Sequence, residues 1–155
     1  MALSESGGGL DASYPAHAAQ VPLIRRAVNG VARGCGADDE TLMRIGVAVT
    51  EAATNVVLHA YRRPQDNERI YVRARMAGPY LSVTVRDNGG GMGPRPDSPG
   101  LGLGLSLMAH EAEGCEIRAA HGGGTEVRLR FALGDNAGDS WQRSGFDAAG
   151  AGAFA

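Results

Sequence analysis

The sequence predicts an α/β two-layer sandwich, with helices packed on one face of a mixed, mostly antiparallel sheet. Two observations predict this class. Helical and strand periodicities occur in groups, in the order helix, helix, hairpin, glycine-rich loop, helix, hairpin. Hydrophobic residues make up 43% of the 155 positions and charged residues 21%, which is enough apolar material for one packed core.

Two helices are predicted in the first part of the chain. Pro15 to Arg33 has apolar residues at helical spacing, and Pro15 suits a first helical turn. The second helix runs from about Asp38 to Ala60 and begins with three acidic residues, which favour a helix N-terminus. One side of this second helix is a predicted core stripe, formed by Leu42, Ile45, Val49, Ala53 and Val56.

Strand patterns dominate the second half of the chain. Leu81, Val83 and Val85 alternate with polar residues, as expected for a strand with one buried face. The predicted elements are strands at about 69–76, 81–86, 115–120 and 125–132, and a short helix at about 104–113. We therefore predict a folded domain at 13–133, a flexible leader at 1–12 and a disordered Gly/Ala-rich tail at 134–155.

Charge and composition exclude several classes of protein. The net charge is −2, which gives no overall electrostatic signal for nucleic acid or an anionic membrane. All 15 basic residues are arginine, so a Walker A loop, a typical protein-kinase fold and Schiff-base chemistry are excluded. Two distant cysteines indicate neither a disulfide framework nor a zinc site. With no signal peptide and no apolar run near ~20 residues, we expect a cytoplasmic protein.

The second predicted helix contains an unusual polar pair. Glu51 and Asn55 lie one turn apart, roughly opposite the core stripe, and their neighbours are largely apolar. The pair is either directed together toward a ligand or is an ordinary polar pair on a half-exposed strip.

Two glycine-rich segments follow the central hairpin. Asp87 ends a strand and is followed directly by Gly89 and Gly91, an arrangement that suits close approach of a ligand but also an Asx turn with a flexible loop. Glycines then alternate with leucines at Gly100, Gly102 and Gly104, entering an apolar helix. A helix N-terminus beside small residues suits phosphate binding, whereas a linker would be more polar.

Taken in order, these segments resemble the GHKL ATP-binding fold (Bergerat type) shared by gyrase-type ATPases, histidine kinases and mismatch-repair ATPases. Glu51-x-x-x-Asn55 is similar to its N box, Asp87-x-Gly89-x-Gly91 to its first glycine box, Gly100 to Leu105 to its second, and Gly124-Thr125 to its last. The branch that the sequence resembles most is the bacterial anti-sigma factor serine kinases.

The resemblance implies roles for these residues. ATP and Mg²⁺ would be the cofactors. Asp87 would bind the adenine amino group with Thr125 nearby, Asn55 would bind Mg²⁺, and Glu51 would be the general base. Gly100, Gly102 and Gly104 would hold the phosphates at the helix N-terminus, and Gly89 and Gly91 of the first glycine box would also bind the nucleotide.

The function implied by the resemblance is that of an anti-sigma factor with serine kinase activity. Its expected partners are a sigma factor and an anti-anti-sigma protein of the STAS type, and a homodimer is compatible with the branch. The resemblance implies no direct contact with nucleic acid or membrane. Two alternatives are a non-enzymatic ATP-binding switch that sequesters a partner and a histidine-kinase catalytic domain.

Overall fold

A computed structural model describes residues 8–60, 67–89 and 101–133. Five strands and three α-helices lie in these ranges. The strands are β1 (Leu10–Pro15), β2 (Arg69–Ala77), β3 (Tyr80–Asp87), β4 (Gly114–Ala119) and β5 (Thr125–Ala132), and the helices are α1 (Val21–Gly34), α2 (Asp39–Asn55) and α3 (Leu101–Glu111). A 3₁₀ turn precedes α1 at Ala18–Gln20, and a π-helical segment follows α2 at Val56–Ala60.

The strands form one sheet in the order β1-β2-β3-β5-β4. Every neighbouring pair among the described strands is antiparallel, so the parallel pairing allowed by the prediction of a mixed sheet is not found there. The helices cover one face and leave the other open, which confirms the predicted two-layer sandwich. The strand order places β5 beside β3, so two segments distant in sequence become neighbours.

The core lies between the helices and the covered face of the sheet. Alternate residues of β3 are fully buried, as the hairpin pattern predicts. The whole predicted stripe of α2 is buried as well, with no member more than 6% exposed. The fully buried side chains of largest volume include Phe131, Ile24, Ile45, Ile70 and Leu81.

The first predicted helix begins later than expected. Pro15 ends the edge strand β1 instead of starting a helix, and Pro22 occupies the first turn of α1. Pro15 suits the end of an edge strand because proline has no N–H to contribute to the ladder. β1 pairs with β2 from Leu10↔Ala74 to Pro15↔Arg69, so the predicted leader at 1–12 is too long.

The second predicted helix is α-helical only as far as Asn55. Asp38 caps its N-terminus by accepting a hydrogen bond from the Thr41 N–H at 2.8 Å.

The segment Asp39–Leu58 is long and apolar enough to span a membrane by length and composition, although the sequence analysis expected no such apolar run. However, 56% of that window is buried inside the domain, as in a core helix. The predicted tail at 134–155 and much of the glycine-rich loop, 90–100, lie outside the described residues.

Candidate functional site

Asp87 is a buried carboxylate at the end of the central strand β3. Its side chain is 0% exposed. Oδ1 accepts a hydrogen bond from the Gly89 N–H at 2.8 Å, and Oδ2 accepts one from the Thr125 N–H at 3.1 Å. The first bond forms the Asx turn that the sequence allowed, and the second crosses from β3 to the start of β5. Asp87, Gly89, Gly124 and Thr125 are called the strand cluster below.

Burial raises the pKa of Asp87, because a charged carboxylate is less stable away from water. The hydrogen bonds from the backbone N–H groups of Gly89 and Thr125, and the charge of Arg86, act in the opposite direction without cancelling the rise. A buried acid whose pKa is raised in this way is a recurrent feature of ligand sites. The strand cluster is therefore a candidate for binding a hydrogen-bond donor.

Gly124 allows β5 to approach Asp87 closely. Its φ is +88°, and a Cβ at this position would overlap the Asp87 carbonyl and lie 2.8 Å from Oδ1. Only glycine fits this combination of backbone angle and contact. The sequence assigned Gly124 a role only by resemblance, in the last box. The contact with Asp87 could not be predicted, because it depends on the pairing of β3 with β5.

Asn88 contributes to the backbone rather than to the candidate site. Its Oδ1 accepts a hydrogen bond from the Arg69 N–H at 2.9 Å, and its Nδ2 donates to the Asn67 carbonyl at 2.8 Å. These bonds fasten the beginning of β2 to the end of β3. They help to fix the position at which Asp87 leaves the sheet.

Glu51 and Asn55 of α2 pack against Gly104 of α3. A Cβ on Gly104 would lie 3.2 Å from Glu51 Oε2 and 3.3 Å from both Asn55 Oδ1 and Asn55 Nδ2. Glycine therefore lets α3 pack closely against this polar pair. Glu51, Asn55 and Gly104 are called the helix cluster below. The π-helical segment that follows Asn55 contacts β3, the strand that ends at Asp87.

Asn55 is 5% exposed, and its Nδ2 has no hydrogen-bond partner among the described residues. A buried amide group without a partner costs about 1–3 kcal/mol, so its retention suggests a ligand. No group of three His, Cys, Asp or Glu side chains within 8–60, 67–89 and 101–133 is arranged to hold a metal by itself. The unpartnered Nδ2 is a donor and suits a phosphate oxygen, whereas the Asn55 amide oxygen is the type of ligand that Mg²⁺ takes together with phosphate and water.

A groove of about 370 Å³ lies between α1 and α2 and has Glu51 in its lining. It is called the α1–α2 groove, and its lining consists of Arg25, Asn29, Leu42, Met43, Gly46, Val47, Thr50 and Glu51. Two buried oxygens of this lining, Asn29 Oδ1 and Thr50 Oγ1, have no partner among the described residues. Glu51 thus lies both at the groove and in the helix cluster.

The predicted site residues divide into these two clusters. Asp87, Gly89 and Thr125 meet at the end of β3, and Glu51, Asn55 and Gly104 meet between α2 and α3. Gly102 lies in the first turn of α3. Gly91 and Gly100 lie outside the described residues, so their roles stay predictions. The groove was not predicted, because α1 reaches it only through tertiary packing.

Two curated relatives cover most of this chain. It is 30% identical over 135 residues to the serine-protein kinase RsbW of Bacillus subtilis, covering 77% of this chain and 82% of the relative. It is 29% identical over 136 residues to RsbW of Bacillus pumilus, covering 77% of this chain and 84% of the relative. A third relative, the anti-sigma F factor of Pasteuria penetrans, is 30% identical over 101 residues, covering 58% and 67% respectively.

Solved structures share the fold. The RsbU and RsbW domains of Rv1364c from Mycobacterium tuberculosis superpose with a TM-score of 0.64 at 23% identity, over 81% of this chain and 32% of that one. The histidine kinase domain of the blue-light activated kinase EL346 from Erythrobacter litoralis gives 0.52 at 26% identity, over 74% and 63%. This chain therefore spans about a third of the Rv1364c structure.

The family of the histidine kinase-like ATPase domain matches residues 14–131. The matched range begins in β1, ends in β5 and contains both the strand cluster and the helix cluster. It thus extends over nearly all of the described fold. We conclude that the chain belongs to the histidine kinase-like ATPase domain family.

Proposed function

We propose that this chain is an ATP-dependent protein serine kinase that also acts as an anti-sigma factor. Its substrate would be a serine of an anti-anti-sigma protein of the STAS type, and its second partner a sigma factor. One observation carries the proposal: Glu51 lines the α1–α2 groove and, as a member of the helix cluster, also packs against Gly104 of α3. A hydroxyl entering by the groove would reach a carboxylate beside the predicted phosphate site.

The adenine of ATP would bind at the strand cluster. The ionised Asp87 carboxylate would accept a hydrogen bond from the adenine amino group, with Thr125 nearby. The two backbone N–H groups already bonded to Asp87 hold the carboxylate in one orientation. A preoriented acceptor loses less conformational freedom on binding, which supports selection of adenine.

Mg²⁺ would bind with the triphosphate at Asn55. The buried amide oxygen is a suitable ligand for this cation, which keeps several waters and usually takes phosphate oxygens as well. When bound, the metal would neutralise charge on the phosphates. Burial of Asn55 between α2 and α3 would hold the amide in place.

The phosphates would lie at the N-terminus of α3. The first N–H groups of a helix have no partner within the helix, and they attract anions. Gly102 and Gly104 add no side chains to this turn, and Gly104 allows the close contact with Glu51. Gly100 would complete the phosphate site from the preceding loop, and Gly89 and Gly91 would contact the nucleotide beside Asp87. This arrangement needs no lysine, which agrees with a chain that has none.

Glu51 would remove the proton from the serine hydroxyl as it attacks the γ-phosphorus. The O–P bond to the serine forms as the bond from the γ-phosphorus to the bridging oxygen breaks, leaving ADP and a phosphoserine. Positioned proton transfer contributes roughly 10²–10⁴-fold, and the larger part of phosphoryl transfer comes from positioning and charge.

The α1–α2 groove would receive the substrate segment. Asn29 Oδ1 and Thr50 Oγ1 are buried there without a described partner, so they can bind N–H groups of an incoming backbone. Leu42 and Val47 give the groove an apolar wall, and Arg25 adds a positive charge at its rim. The combination suits a peptide more than a small polar metabolite.

The relatives named serine-protein kinase support phosphoryl transfer over a non-enzymatic ATP switch. The relative named anti-sigma F factor supports sequestration of a sigma factor. The proposed sigma factor and the proposed STAS-type protein would both be in the cytoplasm, so we place this protein there as well. A homodimer is compatible with this function.

The test is reconstitution with the sigma factor and STAS-type proteins encoded near the gene. Labelled ATP with Mg²⁺ should phosphorylate one STAS-type protein on serine, and the chain should bind one sigma factor in the presence of nucleotide. ATP binding together with sigma binding, but without phosphorylation of any STAS-type protein that competes for the chain, would establish the non-enzymatic switch instead. Autophosphorylation on histidine would overturn the proposal in favour of a histidine kinase.

A further inference from the structure

The face of the sheet opposite the helices is rich in arginine. It is called the open face here, and it consists of the outward-directed residues of the five strands. Its arginines are Arg69, Arg73, Arg75, Arg86, Arg118, Arg128 and Arg130, and its acids are Asp11, Glu116 and Glu126. Seven cations therefore face three anions on one side of the sheet.

This concentration is hidden in the overall charge. The chain has 15 arginines and 17 acids, so the open face leaves eight arginines and fourteen acids for the rest. The near-neutral total predicts no charged binding surface, but the fold segregates the charges. Charge of one sign concentrated on a surface attracts partners of the other sign.

Carboxylates on this face hold some of the guanidinium groups in fixed positions. Arg118 Nη2 lies 2.6 Å from Glu126 Oε1, and Arg128 Nη2 lies 3.1 Å from the same oxygen. Arg73 Nη2 lies 2.8 Å from Asp11 Oδ2. Burial alone would raise the pKa of Glu126, but the hydrogen bonds and charges of Arg118 and Arg128 lower it. Glu126 is therefore ionised at neutral pH.

Arg75 and Arg130 differ from the other arginines of this face, because neither side chain has an ion pair or a hydrogen bond with any residue within 8–60, 67–89 and 101–133. The register places Arg75 opposite Ser82, and Ser82 opposite Arg130. Two strand spacings of about 4.8 Å separate their backbones by about 10 Å. The Arg130 guanidinium lies 4.6 Å from the Tyr80 ring centre, and its Nε is buried without a described partner.

We propose that the open face docks an acidic surface of a protein, with carboxylates of that partner pairing with Arg75 and Arg130. Guanidinium groups form two parallel hydrogen bonds to a carboxylate, which suits this pairing. The open face lies across the sheet from the helices, so such a partner leaves the α1–α2 groove accessible. The proposal holds whether or not the chain transfers phosphate.

Three observations favour an acidic protein over nucleic acid or a second copy. Carboxylates interspersed among the arginines divide the positive charge into separate points, which suits a partner with discrete carboxylates better than a continuous phosphate backbone. An arginine guanidinium lies over one side of each tyrosine ring of this face, at 5.7 Å for Arg86 on Tyr71 and 4.6 Å for Arg130 on Tyr80, which leaves less ring surface for stacking of bases. Two open faces brought together would place like charges in contact.

The first experiment measures binding of labelled poly-L-glutamate by fluorescence anisotropy at low salt. Arg75→Gln with Arg130→Gln should weaken binding about tenfold, because the variant loses two guanidinium groups that pair with carboxylates of the polymer. The matched control is Arg26→Gln with Arg33→Gln, which removes the same charge from exposed positions of α1. The control should change affinity by less than a factor of about two. Equal loss in both variants, or no binding by the natural chain, would overturn the proposal.

Two further arms identify the occupant. Single-stranded DNA of equal charge should bind less tightly than poly-L-glutamate, and tighter arginine-dependent binding of DNA would assign the face to nucleic acid. Truncation after Leu133 should leave poly-L-glutamate affinity unchanged. A large gain after truncation would mean that the chain's own tail occupies the face.

A photo-crosslinking residue at Ser82 tests the face in cells. It should capture an acidic protein whose calorimetrically measured affinity falls with the Arg75 and Arg130 substitutions but not with the control pair. Capture of a second copy of this chain would contradict the proposal. So would capture of a protein whose affinity is unchanged by both the Arg75 and Arg130 substitutions and the control substitutions. A matched crosslinker at exposed Met43 on α2 should not capture the same acidic protein.

Discussion

The strand cluster and the helix cluster are built in opposite ways. At the strand cluster, both carboxylate oxygens of Asp87 accept hydrogen bonds from backbone N–H groups. At the helix cluster, Asn55 Nδ2 is buried without a described partner. The first is thus largely complete before any ligand binds, whereas the second retains unused hydrogen-bonding capacity. The difference suggests that adenine meets a preformed site and that the phosphates and metal complete theirs.

The largest expected effect is on phosphoryl transfer at the helix cluster. Glu51→Gln keeps the shape of the side chain but removes the proposed base, so transfer to the proposed STAS-type substrate should fall roughly 10²–10⁴-fold. ATP affinity should stay close to that of the natural chain, because the proposed adenine contacts lie at the strand cluster. Single-turnover transfer and calorimetric binding on the same preparations measure both. Transfer at the natural rate would remove the role of base from Glu51.

The next effect concerns the rigidity of the strand cluster. Gly123 and Gly124 have φ of +103° and +88°, so alanine at either costs about 1–2 kcal/mol of backbone strain. A Cβ at Gly123 has nothing within 4 Å, whereas one at Gly124 overlaps the Asp87 carbonyl. Gly124→Ala should therefore destabilise by about 1–3 kcal/mol more than Gly123→Ala in urea unfolding. Equal losses of stability in the two variants would show that the β5 backbone moves away from Asp87 at little cost and that the strand cluster is not rigid.

Removal of the carboxylate should weaken nucleotide binding. Asp87→Ala leaves the adenine amino group without its charged acceptor, at a cost of about 1.5–3 kcal/mol, which is roughly 10–150-fold in ATP affinity. It also leaves the Thr125 N–H without its acceptor, so the melting temperature should fall. Calorimetry at a temperature where the variant is folded separates the two effects. Unchanged ATP affinity there would exclude Asp87 from the site.

A smaller effect is expected where α3 approaches the helix cluster. Gly104→Ala places a Cβ 3.2 Å from Glu51 Oε2 and should reduce ATP affinity by about 1 kcal/mol, or roughly fivefold. Gly30→Ala is the control, because nothing lies within 4 Å of that Cβ on α1 and alanine favours a helix. Gly30→Ala should raise the melting temperature without changing affinity. The same response in both variants would mean that Gly104 has no special role.

The smallest effect is expected from the tail. Truncation after Leu133 should leave both clusters unaffected, because a Gly/Ala-rich segment buries little apolar surface. Melting temperature and ATP affinity, measured on the full and shortened chains, should agree closely. A fall of many degrees would show that residues such as Trp141 or Phe146 dock on the domain.

Local patterns in the sequence were sufficient for much of the fold. The alternation in β3 and the stripe of α2 each indicate a buried face directly, and both faces are buried. β1 was missed because Leu10–Pro15 alternates weakly and ends in proline, which resembles a helix start. The π-helical segment after Asn55 was also missed, since the same apolar residues fit an α-helix.

The candidate site was predictable as a set of residues but not as an arrangement. The motifs named Glu51, Asn55, Asp87 and Thr125 through a family resemblance, while spacing alone left ordinary alternatives open. Gly104 touches a pair some fifty positions away in sequence, and only the packing of α3 on α2 brings them together. The arginines of the open face likewise share a surface only because β5 pairs with both β3 and β4.

The pairing of β3 with β5 has a consequence for how the chain can diverge. Asp87 and Thr125 are 38 positions apart, yet the ladder from Tyr80↔Ala132 to Arg86↔Glu126 holds them in register. A loop whose two ends are held together can be lengthened at little entropic cost, since doubling its length adds only about 0.6 kcal/mol to the free energy of closing it. Insertions or deletions within 90–100 therefore need not disturb Asp87. Descendants of this chain could exchange the segment at 90–100 for another, and so alter turnover or substrate choice, while keeping the proposed adenine contacts.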